Sequence, residues 1–288
     1  MSDVFPIPTK ESLADGDLRE VRWLEAAFVE ANYTVEYAKY VQHHRVVESL
    51  VSVLRSRTDA TVLDLGCADG GILFALNRRL KSPGNRYVGV DLDRPALTHA
   101  AKRIAYRGYT NIELRFGDVT KTGLPSEFAD VVLSSEVAEH LLQPRLLFEE
   151  IWRLLKPGGR AVVTTPNLSN YPLRMGRWLD RRLGGRLRTG VYAGMVEKSE
   201  RTGFTTQEGI LGHVSEQPAR AWEQLAEQVG FQVRLERGST LVYGYPWLAR
   251  HRVLFGLLCM VDYVLEWCPR WFDTSHDLLI VLGKGRAP

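Results

Sequence analysis

Val62-Leu63-Asp64-Leu65-Gly66-Cys67-Ala68-Asp69-Gly70-Gly71 is the stretch whose reading decides the fold. It has the form of a short apolar strand, a glycine turn and the start of a helix running from Ile72 to Leu80. Glycines let backbone N–H groups approach a ligand closely, and a helix start favours anionic groups. Many strand-to-helix turns carry glycine for steric reasons alone, so the flanking chain must supply the meaning.

Outward from this turn the pattern alternates. Thr61–Leu65 reads as strand, Gly71–Leu80 as helix, Arg86–Val90 as strand and Pro95–Tyr106 as helix. Strands follow at Ile112–Phe116 and Ala129–Leu133, then a helix at Pro144–Leu155 and a strand at Arg160–Thr164. Short strands separated by helical stretches imply right-handed crossovers and a parallel, doubly wound α/β sheet, whose ligands lie at the carboxyl ends of the strands. Upstream, residues 1–16 read as a loose arm, and Asp17 to about Arg55 as helix with a break near Asn32. Tyr33, Tyr37 and Tyr40 share a helix face with His44, either as a core stripe or as a lid over a ligand. Downstream, Pro218–Val229 is a helix capped by Gly230, and Phe231–Arg237 and His276–Leu282 are two further strands. Between those strands, Pro246–Trp267 is helical and apolar on more than one side, fitting a cap over the substrate, a homodimer face or a weak interfacial contact with a membrane.

Composition narrows the class. The chain has 288 residues, 45% hydrophobic and 25% charged, which suits one large domain or one domain with a cap. A net charge of +3 neither demands nor excludes nucleic acid. The three cysteines, Cys67, Cys259 and Cys268, form no C-x-x-C pair or disulfide framework and favour a reducing compartment. Residues 1–30 lack a signal-peptide core. The longest uncharged apolar run near the C-terminus, Val253–Val261, is nine residues against the ~20 of a spanning helix. A cytoplasmic protein without a transmembrane segment is expected.

The residues after each strand carry the chemistry. Asp64 precedes Gly66-x-x-x-Gly70; Asp91-Leu92 ends the next strand; Gly117-Asp118-Val119 follows the third; Ser134-Ser135-Glu136-Val137-Ala138-Glu139-His140 follows the fourth. Lys156-Pro157-Gly158-Gly159 reads as a turn before the fifth. An acid at position 91 suits a pair of ribose hydroxyls, and one at 118 suits an exocyclic amine such as adenine N6. A nicotinamide fingerprint fits less well, because Ala68 and Asp69 stand where G-x-G-x-x-G requires its middle glycine. Together these motifs resemble the class I S-adenosylmethionine-dependent methyltransferases, from about Val62 to Asn167 with a looser continuation to Leu282. The resemblance implies a Rossmann-like, seven-stranded, mostly parallel sheet whose last strand enters antiparallel. It implies that Gly66 and Gly70 shape the turn under the methionine part of S-adenosylmethionine, with Asp64 helping to hold the ammonium. Asp91 would bind the ribose, Leu92 flank the adenine, and Asp118 with Val119 read its edge. Ser134 or Ser135 would lie near the transferred methyl.

Methyl transfer from a sulfonium is an in-line displacement, so the protein's main task is positioning. A hydroxyl acceptor benefits from a base or a metal. Glu136, Glu139 and His140, with distal His213, form a suitable ligand set for Mg²⁺, Mn²⁺ or Zn²⁺; alternatively Glu136, His140 or His213 serves as a base. This E-x-x-E-H element resembles that of ubiquinone-biosynthesis O-methyltransferases and of small-RNA 2′-O-methyltransferases, although Leu141 stands where the RNA family has a second histidine. The expectation is therefore a methyltransferase of a small-molecule acceptor, on oxygen first and nitrogen next. Metal-dependent RNA 2′-O-methylation and a non-catalytic partner subunit are the alternatives. Nucleic acid is the lesser expectation: six arginines between Arg174 and Arg188 are the only basic run, and they equally suit a solvated face. The expected organisation is an N-terminal arm and helical lid over 1–56, the cofactor core over 57–166, an Arg/Gly-rich substrate-side insertion over 167–216, and the end of the sheet over 217–288 with a helical cap at 239–275.

Overall fold

The computed structural model describes residues 2–26, 33–55, 57–168, 182, 213–237, 251–265 and 277–285. Among the described residues, eight strands form one sheet: β1 (Asp3–Val4), β2 (Thr61–Leu65), β3 (Arg86–Asp91), β4 (Ile112–Phe116), β5 (Ala129–Ser135), β6 (Leu155–Pro166), β7 (Gln232–Arg237) and β8 (Asp277–Gly283), in the order β1-β4-β3-β2-β5-β6-β8-β7. The five strands from β4 through β6 are parallel, and β8 enters antiparallel between β6 and β7. The helices are α1 (Asp15–Ala26), α2 (Tyr33–Leu54), α3 (Gly71–Leu80), α4 (Arg94–Arg107), α5 (Pro144–Leu154), α6 (Ala219–Val229) and α7 (Arg252–Leu265).

The parallel strands read as continuous apolar runs because both sheet faces are covered. On one face, Val62, Tyr87, Leu114 and Val131 pack with Leu50, Leu54, Leu73 and Leu76 of α2 and α3. On the other, Leu63, Val88, Val132 and Val163 pack with Phe148 of α5 and Trp222 of α6. The Phe148 and Trp222 rings lie nearly parallel, 6.1 Å apart. The strand order reverses between β2 and β5, and the carboxyl ends of these two strands therefore frame the site.

Two expectations require correction. The arm over residues 1–16 is not loose throughout: Asp3 and Val4 add an eighth strand antiparallel to β4, with the Ser2 amide donating to Thr122 O at 2.7 Å and the Phe5 amide to Leu114 O at 2.8 Å. Gly117 permits this close passage, since a Cβ there would lie 2.7 Å from Ser2 Cα. Nor is Lys156–Gly159 a turn ahead of a strand. Helix α5 runs directly into β6, and these four residues form a bulge between the Leu155–Ala129 and Arg160–Val131 pairs. The Lys156 ammonium pins the bulge to Asp130 at 2.7 Å. The predicted break near Asn32, the tyrosine side chains 33, 37 and 40, the arginines 174–188 apart from Arg182, and most of the 167–216 and 239–275 insertions lie outside the described residues. Within the latter, α7 (Arg252–Leu265) is the described part of the helix expected over Pro246–Trp267.

Candidate functional site

The glycine turn is built by two left-handed glycines, Gly66 (φ 85°) and Gly70 (φ 79°), with Ala68 also at positive φ. Its backbone is tied to β3: the Gly66 amide donates to Val90 O at 2.8 Å, and the Ala68 amide to Asp91 Oδ2 at 2.7 Å. Asp91 Oδ1 accepts from the Asp93 amide at 2.8 Å, so this carboxylate braces both loops. Each oxygen retains a lone pair for a hydroxyl donor. Burial raises the Asp91 pKa in spite of these amides. From α4, the buried Arg103 donates to Asp69 O at 3.1 Å and to Asp69 Oδ2 at 2.7 Å, and lies over the Phe74 ring. Sequence reading missed this latch; Arg103 stands beside Lys102 in the Ala100–Ala105 stretch, where nothing local sets it apart from a solvated cation.

Asp64 has a different environment. Its carboxyl is buried and Oδ1 has no hydrogen-bond partner. Burial, reinforced by the neighbouring Asp91, pushes its pKa up to about 8. A buried carboxyl without a partner is costly unless a cation or donor completes it. That is the requirement an ammonium would meet. Of the remaining predicted cofactor residues, Leu92 is exposed, Val119 is buried, and Asp118 uses Oδ1 to accept from the Thr120 amide and hydroxyl at 2.7 Å. Ser134 is fully buried and donates to Leu65 O at 3.0 Å, whereas the Ser135 hydroxyl meets Thr164 Oγ1 at 2.8 Å. Of the two, Ser135 is the one on the open side of β5.

Past β5, the chain makes a short 3₁₀ turn, Ala138–His140. Val137 folds back over the glycine turn, its Cγ2 2.3 Å from where a Cβ on Gly66 would sit. The turn delivers Glu139 and His140, and β6 is followed by residue 213 onward on the same side: Val214 and Ser215 amides donate to Glu139 O at 2.8 and 3.1 Å. Glu139, His140 and His213 each present a ligand atom, all within 4.8 Å of one another. The two imidazoles meet edge-on at 5.0 Å, and the Glu139 carboxylate stands 3.7 Å from His140 Nε2. Thr165 Oγ1 supports Glu139 Oε2 at 3.3 Å, while Oε1 is buried without a hydrogen-bond partner. Burial pushes Glu139 up to about 7. Burial opposes charge on His213, but its 2.5 Å hydrogen bond to Glu216 and the carboxylates of Glu139 and Asp277 outweigh this and raise its pKa.

Glu136 stands apart from these three. It sits at φ 57°, in the left-handed region, and Oε1 accepts from Gln42 Nε2 of α2 at 2.8 Å and from Thr164 Oγ1 at 3.0 Å. Burial, with Asp277 and Glu139 nearby, holds its pKa well above the usual range. The four-residue set expected from sequence is thus represented by three converging side chains and one turned toward the helical arm. Gln42 and Asp277 are the residues that sequence reading missed. Asp277 is a buried acid heading an otherwise apolar strand, a signal that is visible in retrospect.

Residues 56–208 match the model of the methyltransferase domain family, more than half of the chain. The chain belongs to this family. Among curated relatives, it is 31% identical over 142 residues to nocamycin O-methyltransferase of Saccharothrix syringae, covering 47% of this chain and 50% of that one. It is 31% identical over 137 residues to malonyl-[acyl-carrier protein] O-methyltransferase of Marinomonas sp., covering 47% and 49%. The chain thus spans about half the length of these relatives. A phosphoethanolamine N-methyltransferase 2 of Haemonchus contortus, solved with phosphomonomethylethanolamine and S-adenosylhomocysteine, superposes with a TM-score of 0.55 at 15% identity, over 98% of this chain and 62% of that one. At that identity the likeness concerns the fold, a Rossmann-like α/β methyltransferase sheet.

Proposed function

We propose that this methyltransferase-family chain transfers the methyl group of S-adenosylmethionine to a hydroxyl of a small-molecule acceptor. The observation that carries the cofactor assignment is the buried Asp64 carboxyl, lacking a partner at Oδ1 beside two left-handed glycines. An ammonium there would satisfy the orphaned oxygen, and Asp91 has acceptor capacity left for ribose hydroxyls. The cofactor supplies the electrophilic methyl; the chain supplies placement, with the Gly66–Gly70 turn, Asp91 and Asp118 as its holding groups.

The oxygen acceptor is argued from Glu139, His140 and His213. One carboxylate and two imidazoles suit a divalent cation with nitrogen affinity, Zn²⁺ or Mn²⁺ more than Mg²⁺. The buried Glu139 Oε1, which has no hydrogen-bond partner and stands 3.7 Å from His140 Nε2, fits such an ion. When bound, the metal would lower the pKa of an acceptor hydroxyl. Glu216 orients the His213 ring through Nδ1. The names of two curated relatives, both O-methyltransferases, point the same way, while another is an arsenite methyltransferase.

The test has two arms. Calorimetry should show S-adenosylhomocysteine binding that is lost in Asp64→Asn and Asp91→Asn variants; wild-type protein without measurable binding would refute the cofactor reading. Mn²⁺ titration followed by electron paramagnetic resonance should show one bound ion, weakened by His213→Ala. Unchanged methyl transfer to a hydroxylated acceptor in excess EDTA would sink the metal role and leave the cofactor role standing.

A further inference from the structure

Helix α7 presents its apolar side outward. Val253 is 81% exposed, Leu254 40%, Leu257 55%, Met260 66%, Val261 53% and Val264 66%. At ~100° per residue these six positions fall within one arc of about 120° centred on Leu257. Phe255, Leu258 and Cys259, half-buried, lie on the opposite half. Asp262 is the one charged residue of the sequence between Arg252 and Leu265. An ordinary surface helix has the reverse arrangement, polar out and apolar in. A contiguous outward apolar arc of this kind marks a contact surface.

We propose that α7 lies in the plane of a lipid surface, with the Val253–Val264 arc among the acyl chains and anionic headgroups at its ends. Three observations select a bilayer as the occupant. First, the sequence before the helix carries Trp247, Arg250 and Arg252 with no acid, and the sequence after it carries Trp267 and Trp271, with Arg270 between Glu266 and Asp273. Aromatic residues on both sides of an apolar segment, with a cationic stretch on one side, match the composition that favours a membrane–water interface. Second, among the described residues no charged side chain borders the arc to fix a register or orientation against a second copy. Helix pairing draws specificity from such borders; lipid requires none. Third, a 14-residue helix is only about 21 Å long. One such helix pair falls short of the ~800 Å² per partner of a stable protein interface. The helix does not cross the bilayer, since no helix among the described residues is long and apolar enough to do so. The proposal is independent of the cofactor and metal readings.

Vesicle flotation of the full chain tests it. With phosphatidylcholine vesicles containing phosphatidylglycerol, the wild type should float, and a Leu257→Glu/Met260→Glu variant should partition at least about tenfold less. Both substituted side chains are exposed, and unchanged S-adenosylhomocysteine binding or an unchanged melting temperature would show the fold intact. An Arg250→Gln/Arg252→Gln/Arg270→Gln variant should keep its partitioning onto pure phosphatidylcholine but lose about a hundredfold on the anionic vesicles, about fivefold per arginine. Wild-type protein that stays unbound at every lipid concentration would overturn the proposal. So would a concentration-dependent dimer, seen by analytical ultracentrifugation, that the two glutamates disperse while vesicle binding is absent.

Discussion

At the scale of single residues, Asp64 makes the sharpest predictions. With its carboxyl raised to about 8 in the folded protein and near 3.8 unfolded, the native state binds the extra proton between these values. Stability of the ligand-free protein should therefore be fully present below about pH 4 and decline as pH rises to about 8, by at most roughly 1.4 kcal/mol per pH unit. Asp64→Asn should flatten that slope in thermal melts followed from pH 5 to 8. Binding of an ammonium-bearing ligand favours the ionised carboxyl, so calorimetry near pH 7 in buffers of different ionisation enthalpy should register proton release in the wild type that shrinks as the pH is raised past about 8. Gly66 offers a steric counterpart. An alanine there meets Val137 Cγ2 at 2.3 Å and must hold φ 85°. Gly66→Ala should cost about 1–3 kcal/mol of stability and abolish cofactor binding.

At the scale of elements, the site consists of loops that one element alone does not hold. The turn before α3 is fixed from β3 by Asp91 and from α4 by Arg103. Replacing Arg103 with Met removes the guanidinium from over Phe74 and the bonds to Asp69. The expected loss is about 1 kcal/mol by denaturant unfolding, since Asp69 is half exposed. Helix α2 joins the site through Gln42, whose amide reaches Glu136 across 94 residues of sequence. Gln42→Leu should leave Glu136 with one partner fewer, destabilise the fold by about 1–2 kcal/mol and speed amide exchange in residues 41–54. The elements themselves were largely legible. Seven of the eight described strands and the capped helices α3, α4 and α6 follow from apolar runs, glycine and proline punctuation, and Gly230 at φ 114° ends α6 as a C-cap should. Two departures, the added β1 and the bulged start of β6, depend on tertiary pairing: two residues carry no periodicity, and a Lys-Pro-Gly-Gly run looks the same in a turn and in a bulge.

For the whole molecule, the pH response combines opposing groups. Burial works against the ionised forms of Asp130 and Glu150, but Lys156 and the Thr61 amide at the first, and Arg153 and Thr122 at the second, hold both pKa values below normal. Their stabilisation is present at neutral pH and lost as pH falls through about 4. With Asp64 acting in the other direction, the ligand-free protein should be most stable on the acid side of neutrality. Saturating S-adenosylhomocysteine should move that optimum upward in a melting-temperature scan. The sequence by itself determined the alternating core, the turn at Gly66–Gly70 and the acids that follow the strands. These are local properties: apolar periodicity, backbone freedom at glycine, and residue type at a strand end. Only the tertiary structure decided which polar groups meet. It brought His213 to Glu139 and His140 across some seventy residues, turned Glu136 to Gln42, placed Asp277 among them, and left the apolar side of α7 facing out. Such meetings depend on chain crossings and burial, which a pattern along one dimension does not encode.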